Sequence, residues 1–161
     1  MNEQLQNILN PDSSVSFKTA GRLFKVGDKV MQIVNNYEKG VFNGDMGFIV
    51  DYCQEEHSFT VEYDGSNRIT YEMEEGDQLV LAYAITIHKS QGSEFPAVVM
   101  PLMPQHYMML QRNLLYTGMT RAKQLMILVA SRKAVSMAVR NMVREKRYSL
   151  LKEKLIYGGN A

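Results

Sequence analysis

Cysteine is nearly missing from this sequence. Cys53 stands alone among 161 residues, so no internal disulfide is available, and no second thiol is near enough in sequence to make a zinc site. A reduced compartment suits that usage. No apolar run approaches the roughly 20 residues a bilayer requires. The polar start, Met1 to Pro11, has none of the layout of a signal peptide. These absences argue against a helical membrane span and lead us to expect a cytoplasmic protein. No internal repeat or low-complexity tract is visible. The chain is 45% hydrophobic, enough for one ordinary core with a small satellite domain.

A formal net charge of +1 conceals an uneven distribution. Glu38, Asp45, Asp51, Glu55, Glu56, Glu62, Asp64, Glu72, Glu74, Glu75 and Asp77 crowd the middle. Such a surface is poorly suited to wrapping duplex DNA, because neutralising phosphates takes Lys and Arg. The tail is the reverse, with Arg132, Lys133, Arg140, Arg144, Lys146, Arg147, Lys152 and Lys154 against Glu145 and Glu153. It suits either a nucleic-acid-facing surface or an ordinary solvated helix face.

Leu5, Ile8 and Leu9 are spaced as on a short amphipathic helix over Asn2 to Leu9, which Asn10-Pro11 ends. A polar loop is expected to about Gly21. Short alternating runs follow at Lys29 to Val34, Gly47 to Tyr52, Ser58 to Tyr63 and Arg68 to Glu72, with Asp64-Gly65 as a hairpin signal; they predict a small antiparallel barrel. After Gly76, the apolar runs Gln78 to Ile85, Ala97 to Leu102 and Leu125 to Ala130 read as buried parallel strands. A helix is expected within Gln105 to Met119 and another from Ser131 to about Arg147, giving α/β layering. The twelve methionines are scattered and read as core filling.

Two segments carry candidate chemistry. In Thr86-Ile87-His88-Lys89-Ser90-Gln91-Gly92-Ser93-Glu94-Phe95, Thr86 is a good N-cap for one helical turn and Gly92 a good place to end it. Free backbone N–H groups at such a turn, with Lys89 beside them, suit a phosphate contact without base recognition; a capped strand-to-helix turn with a solvated lysine is the plainer alternative. The second segment is Leu115-Tyr116-Thr117-Gly118-Met119-Thr120-Arg121-Ala122-Lys123, between a helix and a strand. There Arg121 either caps the helix C-terminus or offers a fixed guanidinium to a nucleotide phosphate.

In this order, these segments resemble motifs V and VI of the superfamily-one helicases, in the RecD-like branch that includes the exodeoxyribonuclease V alpha subunit. Phe24-Lys25-Val26-Gly27-Asp28-Lys29-Val30-Met31-Gln32, with Asn35-Asn36-Tyr37 and Phe42-Asn43-Gly44-Asp45, is similar to the opening of that branch's SH3-like insertion. The resemblance implies an α/β fold, a partial RecA-like parallel-sheet lobe with an inserted SH3-like antiparallel β-barrel. It divides the chain into residues 1–23 of the lobe, 24–77 of the barrel and 78–161 of the lobe's C-terminal part. It also implies roles. Thr86, His88 and Lys89 would contact the DNA strand, and Gln91, Gly92 and Glu94 would face the nucleotide, Glu94 towards the ribose. Arg121 would be the arginine finger that meets charge on the γ-phosphate, with Tyr116 and Thr120 positioning its loop. In the barrel, Asn35, Asn36, Tyr37, Phe42 and Asn43 would contact single-stranded DNA or a single-strand/duplex junction by stacking and amide bonds. They are equally ordinary turn and core residues.

The sequence departs from that pattern in having no Gly-x-x-x-x-Gly-Lys-Ser/Thr. Lys89-Ser90 follows no glycine-rich loop and does not replace it. The resemblance then implies a parent protein whose upstream P-loop lobe, in cis, binds ATP and Mg2+, with five-prime-to-three-prime unwinding and, in some members, partner exonuclease subunits. No metal ligand set is expected in this chain, and by itself it should not be a working motor. A RecD subunit, a stand-alone RecD-like helicase and a relaxase-helicase all fit as parent. The rival readings are a stand-alone nucleic-acid or protein-binding module, which explains the missing loop directly, and an independent hydrolase using His88 and Glu94, which lacks a nucleophile.

Overall fold

In the computed structural model, which describes residues 1–13 and 15–141, the expected first helix forms as α1 (Asn2–Leu9). Its orientation is not the one its apolar spacing suggests. Ile8 and Leu9 are exposed, and the buried residue is Gln6. The reason lies in what α1 packs against. Asp28 is fully buried, and an ionised carboxylate out of water must have its lone pairs filled. One of its oxygens accepts from Asn10 Nδ2 and the Tyr83 hydroxyl, both at 2.9 Å; the other accepts from Gln6 Nε2 and, at 2.8 Å, the Lys25 backbone N–H. Asn2 extends the same amide docking, bonding Leu81 O, Ala84 O and Ala84 N at 2.9, 3.0 and 2.7 Å.

The chain divides into two units, Met1–Ser90 and Gln91–Ala161. After α1, the first continues with a hairpin, β1 (Ser16–Thr19) and β2 (Arg22–Lys25), where a polar loop was expected. Its two-residue turn has positive φ at Ala20 and Gly21 (48° and 73°), an arrangement that Asn-Gly would announce and Ala-Gly does not. Phe17 and Phe24 on this hairpin are buried. Phe17 stacks on Tyr52 at 4.6 Å between ring centroids and lies 5.0 Å from Phe59, which stacks on Tyr71 at 5.4 Å.

The barrel strands are β3 (Lys29–Gln32), β4 (Met46–Cys53), β5 (Ser58–Tyr63), β6 (Asn67–Glu72) and β7 (Leu79–Leu81), paired antiparallel in the order β6-β5-β4-β3-β7. Asp64 and Gly65, both at positive φ, turn β5 into β6 as expected. The parallel strand expected within Gln78 to Ile85 is corrected: only Leu79–Leu81 is a strand, and it pairs antiparallel with β3. An apolar run of this length looks alike in either setting. Gly47 is required by close approach, since a Cβ there would stand 2.6 Å from Glu62 O.

A polar relay crosses the core. The Tyr71 hydroxyl donates to Gln32 Oε1 at 3.1 Å, so at the 2.8 Å contact between the two phenols Tyr63 must be the donor. Gln32 Nε2 donates to Gln78 Oε1 at 3.1 Å, which also accepts from Asn36 Nδ2 at 3.3 Å.

In the second unit, β8 (Phe95–Leu102) and β9 (Ala122–Ala130) are the expected parallel pair, in register from Ala97↔Leu125 to Leu102↔Ala130. They are not the buried strands expected, because Val99, Leu125, Ile127, Leu128 and Val129 are exposed. The helix expected in Gln105 to Met119 is broken. Pro104–Met109 is a 3-10 segment, and α2 covers Arg112–Met119. Helix α3 (Arg132–Arg140) starts where Ser131 Oγ accepts from Ala134 N at 3.1 Å; its expected continuation to Arg147 and most of the basic tail lie outside the described residues. Of the methionines, Met31 and Met100 fill core, while Met103, Met108, Met109 and Met119 are exposed.

Two predictions follow from the buried polar groups. Asp28→Ala leaves four donors facing no acceptor and should lower unfolding free energy by about 3 kcal/mol or more, read from urea midpoints. A loss under about 0.5 kcal/mol would contradict the assignment. The second concerns pH. Burial, reinforced by the bond it donates to Tyr71, pushes Tyr63 far above the ordinary phenol value; burial raises Tyr71 too, against the lowering effect of the bond it accepts from Tyr63. Tyr83 is pushed up to about 12 by burial and by Asp28. A raised folded value means the neutral phenol favours the native state. This stability is full below the unfolded value near pH 10 and is lost as pH rises towards the folded values. Tyrosinate absorbance should show Tyr63, Tyr71 and Tyr83 ionising above the ordinary phenol range, and reversible ionisation of all of them near pH 10 would overturn this.

Candidate nucleic-acid and phosphate contacts

Arg121 stands where α2 gives way to β9. The parallel register sets Phe95 beside Ala122, and Phe95 N donates to Arg121 O at 2.8 Å, so the starts of β8 and β9 are neighbours. The Arg121 guanidinium is partly buried. Nε donates to Thr117 O at 3.3 Å, Nη1 to Ser93 O at 3.1 Å and Nη2 to Thr120 Oγ1 at 3.2 Å. Of the five N–H groups an arginine carries, three are thus engaged and two remain. Thr120 Oγ1 donates in turn to Thr117 O at 2.9 Å. The bonds that cap the helix C-terminus therefore also hold the side chain still.

The platform beneath this arginine is itself tied down. Arg112 Nε donates to Val139 O at 2.7 Å and Asn141 Nδ2 to Leu110 O at 3.1 Å, joining the start of α2 to the end of α3. Tyr116 is exposed on α2 and makes no side-chain bond to the Arg121 group among the described residues. Glu94 pairs with Lys123 at 3.1 Å, with both side chains more than half exposed; such a pair contributes little stability. Gln91 and Gly92 are exposed, and Gly92 takes φ +87°. The structure thus brings Ser93, Glu94, Thr117, Thr120, Arg121 and Lys123 together within the second unit.

Thr86, His88 and Lys89 belong to the first unit. The single turn expected there forms, with Lys89 N on Thr86 Oγ1 at 3.3 Å and Ser90 N on Thr86 O at 3.1 Å. Thr86, His88 and Lys89 face solvent, while Ser90 is buried with its hydroxyl on Ile87 O at 2.7 Å.

In the barrel, the segment between β3 and β4 carries the other candidates. Asn36 pairs with Val41 as an isolated bridge, and between them the chain turns out to Tyr37. Tyr37 is 77% exposed and Phe42 45% exposed, and their rings meet edge to face at 5.9 Å. Neither closes the core. Asn35 Oδ1 accepts from Asn43 N at 2.9 Å and Asp45 Oδ2 from Phe42 N at 2.8 Å, so side chains fix the backbone that presents the aromatics. Asn36 is engaged differently. Its amide group donates to Gln78 and its carbonyl accepts from Lys39 N at 3.1 Å, which makes it part of the loop's anchorage. Sequence reasoning missed Lys39, Glu75 and Gln78, which have no local pattern and meet only through the fold. Among the described residues, no group of three or more His, Cys, Asp or Glu could hold a metal ion, and no helix is long and apolar enough to cross a membrane.

Residues 1–63 match the family model described as the ATP-dependent RecD-like DNA helicase SH3 domain, and residues 81–129 match that of the UvrD-like helicase C-terminal domain. The ATP-dependent RecD2 DNA helicase of Deinococcus radiodurans is 35% identical over 155 residues, which are 96% of this chain and 21% of that protein. The RecBCD enzyme subunit RecD of Haemophilus influenzae is 31% identical over 121 residues, 75% of this chain and 18% of that one. The chain thus spans about a fifth of these relatives. A solved structure of Pif1 helicases at forked double-stranded DNA aligns with a TM-score of 0.57 and 25% identity, covering 92% of this chain and 35% of that one. Bacteroides Pif1 in complex with ADP-AlF3 and single-stranded DNA shares the fold, with a TM-score of 0.61 and 20% identity over 99% of this chain and 43% of that one. Carrying both domains in order along one chain, this protein belongs to the RecD-like DNA helicase family and corresponds to its C-terminal region.

Proposed function

We propose that this chain serves an ATP-dependent, five-prime-to-three-prime DNA helicase by supplying strand contacts and an arginine finger to a P-loop lobe carried elsewhere in the parent protein. The observation that carries the reading is the Arg121 guanidinium, held by three neutral oxygens with two N–H groups left for a phosphate. ATP is the substrate, and its hydrolysis develops charge on the γ-phosphoryl oxygens that a fixed cation meets in the transition state. Thr120 positions the arginine by accepting from Nη2. Tyr116, on the same helix as that loop, is proposed to position it with Thr120, and Gln91, Gly92 and Glu94 are proposed to line the nucleotide side, Glu94 after leaving Lys123.

This chain has no glycine-rich phosphate loop and, among the described residues, no acid cluster for Mg2+, so both belong to the proposed upstream lobe. By itself the chain is proposed to hydrolyse no ATP. Thr86, His88 and Lys89 are proposed to follow the strand backbone from one exposed turn, while Tyr37 and Phe42, with Asn35 and Asn43 stiffening their loop, stack on bases. Further subunits of a larger enzyme are proposed as partners, because the Haemophilus relative is named as a subunit of the RecBCD enzyme.

In the complete protein, Arg121→Ala should lower kcat for DNA-stimulated ATP hydrolysis about a thousandfold while nucleotide binding changes little. An unchanged kcat would sink the finger assignment, and ATPase activity of the 161-residue chain alone that Arg121→Ala abolishes would sink the two-lobe reading. For the barrel, Tyr37→Ala with Phe42→Ala should weaken oligothymidylate binding by about 1–3 kcal/mol per lost stack; unaltered affinity would remove the loop from the strand path.

A further inference from the structure

The loop that presents Tyr37 and Phe42 carries one base, Lys39, between Val34 and Asp45. A lysine beside two exposed aromatics invites the reading that it binds phosphate. The structure gives it other work. Lys39 turns back onto the barrel wall, where Nζ donates to Thr70 O at 2.8 Å, pairs with the Glu75 carboxylate and lies 4.7 Å from the centre of the Tyr71 ring. Both charged side chains are about three-quarters buried, with 25% and 24% of their surfaces exposed. Glu75 is fixed in turn, because the same oxygen that holds Lys39 accepts from Glu72 N at 2.9 Å in the capping box of the 3-10 segment Met73–Gln78. That segment ends at Gln78, whose Oε1 takes Asn36 Nδ2, while its backbone O accepts from Ile33 N at 2.8 Å.

Two attachments of the loop, to Glu75 and to Gln78, therefore lead to one short segment. Lys39 fastens its tip and Asn36 its base, and between them stands Tyr37. We infer that Lys39, with Glu75, is a positioning residue for strand binding: it holds the Tyr37–Phe42 pair ready and makes no phosphate contact of its own. The inference rests on the proposal that this pair stacks on bases. Two consequences follow from the chemistry. A loop held beforehand spares binding the entropy of ordering its side chains. A cation already neutralised by a carboxylate releases no counterion from DNA, so the loop should add little to the salt dependence of affinity.

The test is binding of a fluorescently labelled oligothymidylate to the full chain or its complete parent, followed by anisotropy over a range of salt. The variants are Glu75→Gln, Lys39→Ala, Lys39→Arg and the Tyr37→Ala/Phe42→Ala double substitution, each checked for an unchanged thermal midpoint of the barrel. Glu75→Gln keeps the acceptor for Glu72 N and removes only the charge that holds Lys39. If Lys39 positions the loop, Glu75→Gln and Lys39→Ala each weaken binding about three- to tenfold with an unchanged salt slope, and Lys39→Arg keeps the affinity of the unaltered chain. If Lys39 reaches phosphate instead, freeing it by Glu75→Gln strengthens binding, and Lys39→Ala lowers the salt slope by about one. That pattern, or full affinity in both clamp variants while the double aromatic variant binds weakly, overturns the inference and leaves the stacking proposal standing. Full affinity in the double aromatic variant removes the stacking proposal and the inference with it.

Discussion

A carboxylate with no access to water shapes the first unit. Asp28 sits between the β1–β2 hairpin and β3, and its four lone-pair positions are filled by donors from four places: α1, the residue following it, the end of β2, and Tyr83 beyond β7. Each donor is inexpensive to place only if the others are there, since a buried charge with one partner missing is left poorly solvated. This explains why α1 turns an amide inward and leaves Ile8 and Leu9 outside. It also explains how 90 residues with short strands fix their ends. The sheet satisfies its own interior bonds, whereas the helix and the segment after β7 are recruited by one acid and by backbone carbonyls that need donors.

The opposite end of the barrel is organised by neutral groups. From Tyr63 through Tyr71, Gln32 and Gln78 to Asn36, each donor has one acceptor and the proton order is determined throughout. A relay of this kind has no alternative register, because reversing one phenol would leave Gln32 Oε1 without its donor. Its last member is the base of the loop that carries Tyr37 and Phe42. Rigidity made in the core thus reaches an exposed pair of rings through side-chain bonds, with no continuous strand between them.

The legible parts of this fold were those whose signals are local. Alternation with Asp64-Gly65 located β5 and β6, and two short apolar runs located the parallel pair. The hairpin at Ser16–Lys25 escaped because Ala20 accepts a left-handed conformation that its side chain does not advertise. Leu79–Leu81 was placed in the wrong sheet because three apolar residues do not encode strand direction. The helical face of α1 was misread because hydrophobic periodicity assumes an apolar neighbour, and this neighbour is a charge. At the candidate site, the two apolar runs placed the segments holding Ser93 and Arg121 at the starts of neighbouring strands, whereas the bond from Arg121 to Ser93 O has no local signal. Lys39 and Glu75 lie 36 residues apart, and nothing local in either stretch reports that they meet.

The cations of the two candidate surfaces differ in who holds them, and the difference decides what each has left to give. Lys39 is held by a carboxylate and Lys123 by another, so each pair is close to neutral at a distance. Arg121 is held by two carbonyl oxygens and a hydroxyl, and makes no ion pair among the described residues. Neutral acceptors fix the orientation of a guanidinium without cancelling its charge. A carboxylate in their place would hold it as firmly and leave it with little to offer an incoming phosphate, which would first have to displace that partner. The carbonyl cage therefore combines immobility with retained charge, the two properties that electrostatic stabilisation of a developing anion requires. The carboxylate clamp on Lys39 gives immobility alone, which is all that a loop presenting uncharged rings needs.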